Sequence, residues 1–220
     1  MRKTLLMLLL CLTGAFLNIV FNRIFTYPGV GLPLYLDTIL TITITFMGGL
    51  FWGMLTGALT NVIVHTIYFW GWEAYLFALC NIATALITWL FIRTFPQDLN
   101  FAKSKKNLAV KTFHNSQHLN TVVLRIIILV LLSFVLCFAM SILGGSIAAF
   151  IHILNSSSAD ELHFRAWFGF TMFPHLPLIW VEILSRIPVN IIDRFISVFA
   201  GYGIAVVLNR FVVSYNIRLP

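Results

Sequence analysis

A chain of 220 residues that is 60% hydrophobic and only 10% charged, with a mean hydropathy of +0.96, is too apolar for a soluble domain and reads as an integral membrane protein. Its formal charge of +7 would suggest nucleic acid in a soluble protein. Here most basic residues lie near the ends of apolar runs, where they report orientation, so the bilayer and not a nucleic acid is the expected partner. At about 20 residues per crossing the length allows about six spans and no separate soluble domain.

The first apolar run is uncharged from Thr4 to Asn22. It is long enough to span and has no small-x-small cleavage site, so it is read as a transmembrane helix over about 4–23, with Arg2 and Lys3 holding its start in the cytoplasm. Pro28, Gly29, Gly31 and Pro33 then break the helix into an outer loop.

Between Asp37 and Glu73 no residue is charged, a gap of 35 positions. At about 1.5 Å per residue this predicts a membrane hairpin with spans over about 34–50 and 52–71, its inner turn near Gly48 to Trp52. Thr41-Ile42-Thr43-Ile44-Thr45 alternates like a strand, but a lone strand in hydrocarbon leaves its backbone unpaired, so helix is expected. Thr38, Thr41 and Thr45 then share a face below Asp37, which either caps the first turn or contacts a ligand. In the second arm Gly49, Gly53, Gly57, Asn61 and His65 follow one another at intervals of four. The glycines admit another helix closely, and Asn61 and His65 serve an interhelical hydrogen bond or a substrate.

The run from Tyr68 to Tyr75, with Trp70 and Trp72, is a belt at the membrane interface or a lid over a pocket. A span over about 74–93 follows, with Asn81 near mid-membrane. Residues 94–123, carrying Lys103, Lys105, Lys106 and Lys111, form a cytoplasmic loop. The fifth span covers about 124–152 and contains Gly144, Gly145, Ala148 and Ala149. An outer loop over 153–189 holds Asp160, Glu161, His163, Arg165 and Trp167, then a short outer helix with Glu182, Arg186 and Pro188.

The last span, about 190–212, must include Asn190, Asp193 and Arg194 to reach across about 30 Å. Charged groups inside the membrane either pair to fix a helix or build a ligand site, and both readings apply to Glu182, Arg186, Asp193 and Arg194. Six spans with the amino terminus inside place ten basic residues at the cytoplasmic side and four outside. The expected fold is therefore an all-α, multi-pass cell-membrane protein with six transmembrane helices and both termini cytoplasmic.

No catalytic constellation is present: GxxxxGK[ST], HExxH and GxSxG are all missing, and no enzyme activity is expected. Cys11, Cys80 and Cys137 sit in apolar stretches without ligand spacing, so neither a metal nor a cofactor is expected. Polar and aromatic residues gather toward the outer side: Tyr35, Asp37, Thr41, Asn61, His65, Trp72, Trp167, Glu182 and Asn190. These are the candidate substrate-binding residues, the carboxylates, amides and His65 as hydrogen-bonding groups and the rings as walls.

The phrase Leu32-Pro33-Leu34-Tyr35-Leu36-Asp37-Thr38-Ile39, the following Gly48-Gly49, Gly53, Gly57 and Thr60-Asn61, and the late run from Ile187 to Val198 resemble the substrate-binding S component of bacterial energy-coupling factor (ECF) transporters. The resemblance implies a six-helix bundle that captures a vitamin or similar micronutrient from outside. It also implies delivery with a transmembrane coupling subunit and two cytoplasmic ATPases. Small residues on the first helix, here Gly14, and the glycines Gly49, Gly53 and Gly57 would then serve partner-helix packing. The rival is a membrane sensor or scaffold that binds a partner protein through its helices and carries no cargo.

Overall fold

The structure, a computed structural model, describes residues 2–26, 34–68, 71–99, 115–155 and 175–214. All regular elements among them are helical: α1 (Arg2–Thr26), α2 (Ile39–Gly48), α3 (Leu50–Tyr68), a 3-10 turn (Trp72–Phe77), α4 (Ala78–Thr94), α5 (Asn115–Asn155) and α6 (Leu178–Ser214). Five stretches are long and apolar enough to cross a membrane: Thr4–Phe25, Leu50–Ile67, Trp72–Thr94, Val122–Leu154 and Leu178–Phe211. The chain is thus an all-α protein of membrane-spanning helices.

The segment expected to span over 34–50 differs. Its helix, α2, has 10 residues, about 15 Å and half of a hydrocarbon core. Residues 34–36 are irregular, 37–38 form a turn, and the helix ends at Gly49, whose φ of +84° is one a side chain rarely tolerates. Every residue from Ile39 to Phe46 is buried. The strand-like threonines are helical because their hydroxyls turn back onto the chain: Thr43 donates to the Ile39 carbonyl at 2.9 Å and Thr45 to the Thr41 carbonyl at 2.7 Å. α2 is therefore a protein-enclosed plug and not a lipid-facing span.

The other helices surround it. Gly201 of α6 lets backbones touch: a Cβ there would lie 2.9 Å from the Ile39 carbonyl oxygen, and Thr43 donates to the Gly201 carbonyl at 3.0 Å. Ile42 and Phe46 of α2 join Leu129, Leu132 and Leu136 of α5 and Val198 and Ala205 of α6 in the main apolar core. Phe46 meets Tyr202 edge to face, with centroids 5.3 Å apart. Met7, Cys11 and Ile44 form a second cluster between α1 and α2.

The late part of the chain also departs from expectation. The short outer helix and the last span form one continuous 37-residue helix, α6, with Pro188 inside it. Residues 178–189, assigned to an outer loop, are its first turns, and residues 115–123, assigned to a cytoplasmic loop, begin α5. A single proline removes one donor, which packing of α6 against α5 outweighs.

Gly14, Gly53 and Gly57 face inward. A Cβ at Gly14 would crowd Ile44 and Leu40 of α2, one at Gly53 would collide with Thr45, and one at Gly57 would lie 2.9 Å from the Asn81 carbonyl of α4. This corrects their assignment to a partner subunit's helix: contacts within the bundle already occupy them. Gly49 has open space around it and serves the turn.

Candidate functional site

The polar residues of the bundle collect at the pole where α1, α3 and α5 end and α2, α4 and α6 begin. Successive helices run in opposite directions, so the late residues of one lie beside the early residues of the next. Asn18 late in α1 reaches Thr41 early in α2 and Thr60 late in α3, each at 3.2 Å. Asn81 at the start of α4 reaches Asp37 just before α2, at 3.1 Å.

α6 contributes the charges. Asp193, 0% exposed, accepts the Leu36 backbone N–H at 2.9 Å and pairs with Arg194, also at 2.9 Å. Arg194 donates in turn to the Thr38 hydroxyl at 2.6 Å. Leu36 has a φ of +43°, the one positive value at a non-glycine among the described residues. Asp193 and Arg194 thus fasten both sides of a strained turn that carries the half-buried Asp37.

Arg186, about two turns before Asp193 on α6, pairs with Glu182 one turn earlier still, at 3.5 Å. The Arg186 guanidinium lies 5.8 Å from the Phe77 ring centroid. Arg186 Nη1 and Cys80 Sγ flank Gly144 of α5, each 3.7 Å from where its Cβ would be. Close approach of α5 and α6 at this level rests on Gly145, where a Cβ would lie 2.9 Å from the Ile183 nitrogen. Asp37, Arg186 and Arg194 are all within electrostatic reach of Cys80, and Asp37 is within reach of His65. Asp37, Cys80, Asn81, Arg186 and Arg194 therefore lie near one another, with His65 within reach of Asp37 and Glu182 joined to the group through Arg186.

The candidates named from sequence distribute unevenly over this site. Asp37 is half-buried and does not cap α2: the N-cap position is Thr38 and carries no side-chain cap bond. Asn81 holds its carboxylate instead. Tyr35 is half-buried in the irregular stretch just before it. His65 is buried at the end of α3, its ring 5.8 Å from that of Tyr75. Glu182, 3% exposed, faces the same interior.

Others are engaged elsewhere. Thr41 belongs to the seam of α1, α2 and α3 through Asn18, and Asn61 donates to the Gly57 carbonyl of its own helix at 3.4 Å. Asn190 donates to Ser141 of α5 at 2.8 Å. Trp72, 66% exposed on the 3-10 turn, is at the rim. Trp167 lies outside the described residues.

Asn18 escaped the candidate set although its amide makes three hydrogen bonds, accepting the Leu40 N–H at 2.9 Å as well as donating twice. An asparagine inside an apolar span was its signal. Comparison with known protein families, with characterised proteins and with solved structures gives no match to this chain.

Proposed function

We propose that this protein is a membrane capture protein for a vitamin-sized micronutrient, acting as the S component of an ECF-type ATP-driven importer. The observation that carries this reading is the cluster of charged and amide side chains enclosed at one pole, with Asp37 aimed by a strained turn and not consumed by helix capping. A bundle held by lipid-facing apolar surface has no structural need of ionisable groups buried between its helices, and such groups are functional candidates by default.

The excess of basic residues at the opposite pole supports an orientation with both termini in the cytoplasm and the cluster open to the outside. The chain carries no nucleotide-binding loop, so energy for release would come from ATPases acting through a transmembrane coupling subunit. That subunit would have to dock on exposed helix faces such as Leu5, Leu9, Leu12 and Phe16 of α1, because the glycines are buried against neighbouring helices.

The rival reading is a membrane sensor. It is favoured by α6, which grips the start of α2 through Asp193 and Arg194 and then runs without a break to Ser214. A ligand that moves Asp37 would load that helix directly.

The deciding experiment is native mass spectrometry of the protein gently purified from cells grown in rich medium. A retained small molecule, lost on Asp37→Ala or Glu182→Ala, and co-purifying ATPase subunits support the importer. An empty protein associated with a signalling partner overturns it in favour of the sensor.

A further inference from the structure

The joint between α2 and α6 holds more polar atoms than its own bonds engage. At its centre is Arg194, 5% exposed and within the last membrane-crossing stretch. A guanidinium carries N–H groups on all three nitrogens and accepts nothing. Nη1 donates to the Thr38 hydroxyl at 2.6 Å, and Nη2 lies 2.9 Å from Asp193 Oδ2. Nε is buried as well and has no hydrogen-bond partner among the described residues. A bare N–H of a charged group costs more in a protein interior than that of a neutral one.

Ser197, three residues later, gives a second, independent observation. It is 0% exposed and its Oγ has no partner either. The other buried hydroxyls among the described residues are engaged. Those of Thr43, Thr45, Thr56, Thr60 and Ser133 donate to the carbonyl four residues earlier. Those of Thr38, Thr41 and Ser141 accept from Arg194, Asn18 and Asn190. Ser197 departs from both patterns.

Helix geometry brings the two orphaned atoms to one place. Residues three apart share a face with Cβ atoms about 5–6 Å apart, and Cα–Cβ bonds tilt toward the start of the helix, so Ser197 leans back toward Arg194. This is the face of α6 that meets α2, between the bond from Arg194 to Thr38 and the Gly201 carbonyl that takes the Thr43 hydroxyl.

We propose that a water molecule is bound inside the protein at this joint, accepting from Arg194 Nε–H and hydrogen-bonded to the Ser197 hydroxyl. The Nε–H needs an acceptor, which excludes a cation, and the adjacent Asp193 carboxylate opposes an anion. A neutral group that both accepts and donates meets the requirement. Its remaining hydrogen has Asp193 Oδ2 as an acceptor, which keeps lone-pair capacity beyond the ion pair. Two to four polar partners are what a buried water has. The polar pole then reaches one turn deeper than Asp193, and the pair that fastens α2 is hydrated.

The test is a double-variant cycle read by thermal unfolding of the full chain in detergent. Arg194→Lys keeps the charge and removes the Nε–H, and Ser197→Ala removes the hydroxyl. No direct bond joins the two side chains, so without the water their effects add; with it, the double variant is expected to lose at least about 2 °C less than the sum of the single losses. Ser197→Ala alone is expected to lower the midpoint by about 2–4 °C, because it takes a partner from the water. Additive losses, or a Ser197→Ala midpoint that holds or rises, as relief of a bare hydroxyl gives, overturn the proposal. A density map of the unaltered protein in lipid nanodiscs, at a resolution that shows ordered waters, supplies the arm that needs no variant. Density within about 2.6–3.2 Å of both Arg194 Nε and Ser197 Oγ is expected. A Ser197 hydroxyl turned onto the Asp193 carbonyl, with no density beside Nε, overturns it.

Discussion

Asp193 accepts the backbone N–H of Leu36 at 2.9 Å across a sequence separation of 157 residues. The contact ties the middle of the last helix to the residue before Asp37, and its acceptor is also the partner of Arg194. Removing the carboxylate therefore orphans two groups at once, a buried amide and a buried guanidinium.

Asp193→Ala is expected to destabilise the protein by about 3 kcal/mol or more, because breaking one side of a buried pair leaves an uncompensated charge. Thermal unfolding in detergent measures this, and Arg194→Leu added to Asp193→Ala should recover part of the loss. A double variant as unstable as the sum of the two single variants would show that the pair is not a unit.

Asn18→Leu should lower the unfolding free energy by about 1–3 kcal/mol, since it leaves the buried Leu40 N–H without its acceptor. Thr41→Val and Thr60→Val should each have smaller effects, because each removes one of the two bonds that the Asn18 amide donates. Equal losses from all three would sink the idea that Asn18 is the hub of this seam.

Gly57→Ala and Gly203→Ala separate close packing from helix propensity. A Cβ at Gly57 would press on the Asn81 backbone, whereas none of the surroundings of Gly203 comes within 4 Å. The first should cost about 1–3 kcal/mol by forcing α3 and α4 apart, and the second should be neutral or stabilising by up to about 1 kcal/mol. The Gly57 variant should also weaken retention of any small molecule, since Asn81 holds Asp37.

Glu182→Gln and Trp72→Ala should differ in retention of cargo by native mass spectrometry. Glu182 lies inside the polar neighbourhood and Trp72 is at its edge. Loss of the molecule is expected from the first, and retention within about threefold of wild type from the second. The opposite order would move the site from the helix interior to the rim.

The class of fold was legible because hydropathy reports apolar length directly, and the break at Gly49 was legible because glycine runs punctuate helices. The enclosure of α2 was not. Hydrocarbon and protein interior select the same Ile, Leu and Thr side chains, so composition does not tell a span from a plug. Asp193, Arg194, Glu182 and Arg186 stood out as charges at membrane depth, but their pairing is a matter of rotation around α6 and contact with α2, neither of which is local in sequence. Of the two readings of Asp37, the cap fails because the rule for helix starts does not know that an asparagine 44 positions later will take up the carboxylate.

The enclosure of α2 also constrains how the protein is made. A ten-residue helix reaches about halfway through the hydrocarbon, so it has no stable resting place in lipid by itself. Gly201, whose backbone packs against Ile39, leaves the ribosome more than a hundred residues later. During synthesis the α2 segment must therefore wait, held against α1 through Asn18 and against α3, with its α6 side unfilled. The wall around α2 closes only when α6 arrives, after α3, α4 and α5 have been made.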